Sequence, residues 1–208
     1  TTLFRSNLTL IDQRQFLAIE PAEFWHAVRH AKNKKTVASK VVANILWFNQ
    51  LSYWVSLSIC SCPSAEQRVL LLAYFINVAH ECMLLHNFNT LTAIIGGLNN
   101  VAVQRLRPTW SVRFPSYSIS LSLSLSLSLC LWLSFISITR LALVQALTVK
   151  LQDKWKSLNQ LMENKKNYAQ YREALRGVSQ LPVPFLGVPL RDLTFIEDGN
   201  LDWIPTSP

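Results

Sequence analysis

Glu23, His26 and His30 recur at i, i+3 and i+7, which puts one carboxylate and two imidazoles on a single helical face. Two histidines four apart can hold zinc, but the chain has no His-Glu-x-x-His run and no third ligand in reach by sequence. They read as histidines of a polar face. His80, Glu81 and Cys82 are adjacent in sequence and therefore point apart on a helix, so they form no Cys–His pair. Cys60-Ser61-Cys62 is too tight for a metal knuckle, and Cys82 and Cys130 complete no zinc pattern. Gly96-Gly97 lacks the context of a phosphate-binding loop, and close helix packing accounts for it. No constellation for covalent catalysis remains, and no metal or cofactor is called for.

The elements that carry these residues are helical. The 208 residues are half apolar and contain only five glycines, enough for one domain with a substantial core. Leu8, Leu10, Ile11, Phe16, Leu17 and Ile19 predict a short amphipathic helix, and Pro21 opens a second one at its first turn. Lys32 to Lys35 reads as a polar loop. Val37 to Ile59, with Trp47, Phe48, Leu51, Trp54 and Val55 at helical spacing, predicts a helix buried over much of its circumference. Ser64 and Gln67 form a capping-box pattern for a central helix running to about Leu85. Leu151 to Arg176 predicts one amphipathic helix with Trp155, Leu158, Leu161, Met162, Tyr168, Tyr171 and Leu175 on its apolar stripe.

Formal charge is +8, yet the basic residues are scattered, with Lys32-Asn33-Lys34-Lys35 and Lys165-Lys166 as the short clusters. That argues against nucleic acid and for solvated surface, or for a basic face toward an acidic partner or an anionic inner leaflet. Thr1 to Ile11 has no long apolar core of the secretory type, so reduced thiols and a cytoplasmic location are expected.

Ser111 to Lys150 departs from this pattern. It carries no charge between Arg113 and Arg140, and serine alternates with isoleucine or leucine from Ser118 to Leu129. Phe114 to Thr139 has the length of a membrane span, about 20 residues, but is too rich in serine to make a good one. The alternation also fits a half-buried strand, which would be an unmatched edge in a helical protein. A repeated CT dinucleotide encodes alternating leucine and serine, and we read 111–150 as translated intron.

Several blocks carry a family resemblance. They are the opening Leu-Thr-Leu-Ile-Asp (8–12) with Pro21 and Glu23; Phe48-Asn49-Gln50-Leu51-Ser52-Tyr53-Trp54-Val55; and Asn87-Phe88-Asn89 leading to Arg105-Leu106 and Thr109-Trp110. Downstream come Asn167-Tyr168-Ala169-Gln170-Tyr171-Arg172 and Pro182-Val183-Pro184-Phe185-Leu186-Gly187. In this order they resemble the Ras guanine-nucleotide exchange factors, the Cdc25-homology catalytic domain. The resemblance implies an all-α, irregular multi-helix domain spanning 1–208, with a helical hairpin interrupted by the 111–150 insertion and with further helices of the family beyond residue 208. It implies conformational catalysis without covalent chemistry. The partner would be a Ras-family small GTPase of the Ras, Rap or Ral class, met in the cytoplasm or at the inner face of the plasma membrane. Membrane recruitment would come through regions outside this chain. Carried over by match, Asn49, Asn87, Asn89, Arg105 and Leu106 shape or contact the GTPase. Trp110, Tyr168, Tyr171, Arg172, Pro184 and Phe185 support the hairpin. The expectation for the intact 208-residue chain is weak or absent exchange and poor solubility. A non-catalytic GTPase-binding scaffold that keeps the fold is the alternative, and a membrane protein anchored by 114–139 is a third reading.

Overall fold

The computed structural model describes residues 2–29, 34–110 and 149–200, and these are built from helices. The first is α1 (Thr2–Leu17), followed by α2 (Pro21–Arg29) with Pro21 at its start. α1 begins earlier than the apolar pattern suggests, and its buried line differs from the expected one. Leu8 and Asp12, one turn apart, are buried, whereas Leu10, Ile11 and Leu17 are exposed. An acidic residue thus takes the inward position that an apolar-only pattern assigned to its neighbours.

Lys34 and Lys35, expected in a loop, open the short α3 (Lys34–Val37), and α4 (Ser39–Cys60) follows. The cap position of α4 is Ala38, which has no acceptor side chain. Glu23 of α2 fills that role: its Oε2 accepts the Lys40 backbone N–H at 2.9 Å. Lys40 Nζ also reaches Glu20 at 2.8 Å and Glu23 at 3.3 Å, which ties the first turn of α4 to α2. α4 buries Val41, Asn44, Leu51, Val55 and Ile59, but Leu46, Tyr53, Trp54 and Leu57 are exposed. The expectation of burial around much of α4 therefore holds for its inner face only.

α5 (Ala65–Leu84) sets Val69, Leu72, Phe75, Ile76, Val78 and Ala79 into the core. Its capping box does not form, because the Ser64 hydroxyl donates to the Glu66 carboxylate at 3.0 Å rather than serving the helix N-terminus. The helix ends in a Schellman turn without glycine. His86 takes φ 55°, its N–H donates to Met83 O at 3.0 Å, and the Asn87 N–H donates to Cys82 O at 2.9 Å.

α6 (Phe88–Leu98) is the central helix, followed by the single turns α7 (Val101–Gln104) and α8 (Arg107–Trp110). Gly97 lets α6 press against α4: a Cβ there would lie 2.5 Å from Ser52 O and 2.8 Å from Val55 Cβ. This is the close packing that the glycine pair predicts. Arg68 of α5 donates to the buried Thr109 Oγ1 of α8 at 3.2 Å.

After the insertion, residues 149–161 form α9. The expected single helix to Arg176 is broken: Lys166, Asn167 and Tyr168 all have left-handed φ, and α10 spans Ala169–Arg176. α11 (Gly187–Gly199) closes the described chain and lies along α2. The all-α class holds, with one isolated parallel bridge between Asn87 and Val183 among the described residues. The main core joins α4, α5, α6, α9 and α10 through Ile59, Phe75, Phe88, Leu91, Leu98, Leu158 and Tyr171. Each large apolar side chain buried there contributes about 1.5–3 kcal/mol.

Residues 111–148, including most of the insertion and the 114–139 span, lie outside the described residues. Residues 149 and 150, assigned to the insertion from sequence, are already part of α9. The two flanks meet: the Trp110 and Trp155 rings lie 5.7 Å apart. Among the described residues no helix is long and apolar enough to cross a membrane.

Candidate functional site: the Asn87 junction

Asn87 does three jobs at once. Its N–H completes the Schellman turn of α5, and its Oδ1 accepts the Thr90 N–H at 3.0 Å as the cap of α6. Its Nδ2 donates to Thr9 Oγ1 of α1 at 3.3 Å. Around it, the Phe88 N–H donates to Val183 O at 2.9 Å and the Val183 N–H donates to His86 O at 3.0 Å. The strand-like segment before α11 is therefore stitched to the α5–α6 corner by backbone bonds.

Beneath this corner lies a buried carboxylate. Asp12, fully buried, accepts from Trp47 Nε1 at 2.8 Å, from Asn89 Nδ2 at 3.3 Å, and from the Thr90 hydroxyl. The donors come from α4 and α6, so one carboxylate fixes α1 against both. A buried charge is tolerated when neighbouring donors satisfy its lone pairs, as here.

On the other side, the Tyr171 hydroxyl of α10 accepts the Phe185 N–H at 3.1 Å, while its ring meets Phe88 edge-on at 5.3 Å. Burial pushes the Tyr171 phenol above its ordinary range. The Phe185 ring packs 5.2 Å from Phe48 of α4. It also lies over Gly187, where a Cβ would sit 2.4 Å from the ring and displace it. Pro184, half-buried, lies between the two bonded residues Val183 and Phe185. Arg172 pairs with Asp192 of α11, and the half-buried Tyr168 ring packs 6.5 Å from Tyr171.

The structure thus gathers Asn87, Asn89, Tyr171, Pro184 and Phe185 at one junction. Asn87 and Asn89 are 0% and 1% exposed, so neither touches a partner in this conformation. The Asn87 side chain and the Asn89 Nδ2 are engaged in bonds within the fold, which favours the shaping role over direct contact. Trp110 sits apart, at the α8–α9 seam, with Nε1 donating to Val103 O at 3.0 Å. Leu106 is half-buried at the edge of the main core, and Asn49 and Arg105 are exposed to solvent.

Of the groups considered for chemistry, His30 and Cys130 lie outside the described residues, and three of the others have structural surroundings. Glu23 is engaged with Lys40. The buried Cys82 thiol is pushed up to about 12, first by burial and then by the neighbouring Asp12, which keeps it a protonated core residue. Burial, and then Lys154, push His80 below its ordinary value. Sequence reasoning assigned no site role to Asp12, Thr9, Thr90 or His86, although Thr9 and Asp12 stand in the 8–12 block. A lone Asp within an apolar helical stretch, one turn after Leu8, was the available signal for the first of them.

The family model of the RasGEF domain matches residues 5–207. Ras guanine nucleotide exchange factor M of Dictyostelium discoideum is 28% identical over 204 residues, covering 95% of this chain and 18% of that protein. Ras guanine nucleotide exchange factor Q of the same organism is 29% identical over 197 residues, covering 95% of this chain and 12% of that protein. Guanine nucleotide exchange factor SDC25 of Saccharomyces cerevisiae is 29% identical over 205 residues, covering 97% of this chain and 14% of that protein. The chain spans less than a fifth of the length of these relatives. With the match running across almost all of its residues, the chain belongs to the RasGEF domain family.

Proposed function

We propose that this chain is a guanine-nucleotide exchange module for a Ras-family small GTPase. The observation that carries the reading is the family match over residues 5–207, joined to relatives named as Ras exchange factors. The geometry fits it. The described residues supply a rigid helical scaffold with inward-bonded polar groups and a protonated core thiol, suited to recognition by shape.

Exchange is a conformational task. A GTPase grips its nucleotide through a P-loop, Mg²⁺ and two switch loops. In this account the module holds switch II among its helices and displaces switch I with a helical hairpin, which opens the nucleotide site and disturbs Mg²⁺. It accelerates release because it binds the nucleotide-free state more tightly than the nucleotide-bound one. Asn49 and Arg105, both exposed, are the direct contacts of this reading, and the half-buried Leu106 lines the contact margin. Asn87, Asn89, Tyr171, Pro184 and Phe185 hold the surface in shape. Residues 111–148, the 111–150 tract up to the start of α9, are foreign to the module, a reading supported by the contact of Trp110 with Trp155 on either side of them. The module acts in the cytoplasm, with recruitment to the inner face of the plasma membrane supplied by other regions.

Release of fluorescent GDP from Ras, Rap and Ral proteins tests this, using the chain with and without residues 111–150. The shortened chain is expected to accelerate release from one class, the intact chain less so, and Leu106→Glu to suppress it. Binding of the GTPase without any acceleration by either form would replace exchange by a scaffold role.

A further inference from the structure

Lys166, Asn167 and Tyr168 hold φ of 49°, 55° and 58°, three consecutive left-handed residues with no glycine among them. Each Cβ there is disfavoured, and such a run persists where its surroundings over-determine it. The surroundings are specific. Arg172 donates from Nε to Asn167 O at 2.8 Å, and its Nη2 is shared between the Asp192 oxygens at 2.8 and 2.7 Å. Asn167 Nδ2 also reaches Asp192 Oδ1 at 3.4 Å. The adjacent residue, Tyr171, holds the Phe185 N–H at 3.1 Å.

Two consecutive residues of α10 therefore grip the corner 185–192 at both ends. The left-handed turn makes this possible, since it swings the start of α10 so that Tyr171 and Arg172 address the same corner. The Arg172–Asp192 pair is partly shielded, with side chains 30% and 32% exposed. α11 is also held before Asp192 by Leu190 against the Ile19, Ala27, Ala38 and Val41 cluster, and past Asp192 by Glu197 to Arg29 at 3.4 Å.

We propose that Arg172 and Asp192, braced by the left-handed turn, are positioning residues that fix the angle at which α11 leaves the core, and that the rate of nucleotide release depends on this angle. The proposal rests on the exchange reading above. The corner contains Phe185, seated between Phe48 and Gly187, so a loosened α11 shifts the Phe185 ring against Phe48 of α4. A surface that must be rigid in its complex loses preorganisation when that corner slackens.

Amide hydrogen exchange and nucleotide release, measured together on Asp192→Asn and Asp192→Glu in the full chain, test it. Asp192→Asn is expected to speed exchange of the 187–199 amides roughly three- to tenfold, the range for a partly exposed charge-assisted bond. Amides of α5 and α6 should stay as in the parent. The maximal release rate should fall while the concentration giving half-maximal rate is unchanged, and Asp192→Glu should recover part of both effects. Unmoved α11 amides would overturn the proposal. So would a loosening shared by α5 and α6, or a release rate untouched by a loosened α11. A parent chain that accelerates no nucleotide release either with or without residues 111–150 rejects the exchange reading instead, and the amide arm then decides alone whether the grip holds α11.

Discussion

Asp12 accepts the indole N–H of Trp47 at 2.8 Å, joining a carboxylate on α1 to the middle of α4 across 35 residues of sequence. The same carboxylate takes the Asn89 amide at 3.3 Å and the Thr90 hydroxyl, so the first turn of α6 shares the anchor. The position of α6 relative to α1 and α4 is thus set by polar bonds as well as by packing.

Removing that anchor should cost more than removing a typical core methyl. Asp12→Ala leaves three donors, two of them buried, without this acceptor, and a loss of about 3–5 kcal/mol is expected. Asp12→Asn keeps one acceptor oxygen but turns an amide toward donors, and should cost about 1–3 kcal/mol. Urea unfolding of the three proteins gives the comparison; an Asp12→Ala variant as stable as the parent would rule the anchor out.

At Asn87, two substitutions separate the cap from the α1 tie. Asn87→Ala removes both and should lower stability by about 1–2 kcal/mol. Asn87→Asp keeps the acceptor for the Thr90 N–H but loses the donor to Thr9, so it should fall between. Equal destabilisation by the two variants in thermal melts would mean that capping is not what Asn87 contributes.

The two glycines of α6 should respond in opposite senses. Gly97→Ala drives a Cβ to within 2.5 Å of Ser52 O, backbone that cannot step aside, and should cost about 1–3 kcal/mol. Gly96 is exposed, and a Cβ there meets only the Ser52 Oγ at 3.2 Å. Gly96→Ala should be neutral or stabilise by up to about 1 kcal/mol through helix propensity. The pair of unfolding midpoints reads this directly, and a Gly97→Ala midpoint at or above the parent's would contradict the close α4–α6 contact.

Cys82 gives a pH prediction. Its folded value is pushed from 9.0 to about 12, so between those values the folded chain holds a proton that the unfolded chain has lost. The stability this contributes is fully present below pH 9 and is lost as pH rises toward about 12. Cys82→Ala should flatten that part of the stability profile relative to the parent. Iodoacetamide under native conditions at mildly alkaline pH should label the exposed Cys60 and spare Cys82. Rapid native labelling of Cys82, seen by peptide mass, would place that thiol outside the core.

The helical class and the α4–α6 packing were legible because periodicity and glycine pairs report them locally. The family was legible from blocks such as Pro182–Gly187, whose residue types sit at fixed spacing. The Asn87 junction was only half legible. Its asparagines stand out in the sequence, but their burial depends on Thr9 and Val183, which are 78 and 96 residues away. The spacing of Tyr168 fits the apolar stripe and by itself predicts a continuous helix. The left-handed φ at Lys166 to Tyr168 is held by Arg172 and Asp192, a tertiary cause that no local pattern reveals. The capping box at Ser64 failed for a local reason, competition from the Glu66 carboxylate.

The central claim, that the module works by preferring the nucleotide-free GTPase, is met most directly by one affinity comparison. The chain lacking residues 111–150 is titrated against the same Ras-family GTPase stripped of nucleotide and loaded with GDP and Mg²⁺. The account predicts binding at least about a hundredfold tighter to the stripped form, the differential from which acceleration of release derives. Equal affinity for the two forms would contradict it, since a ligand that binds both states alike shifts neither.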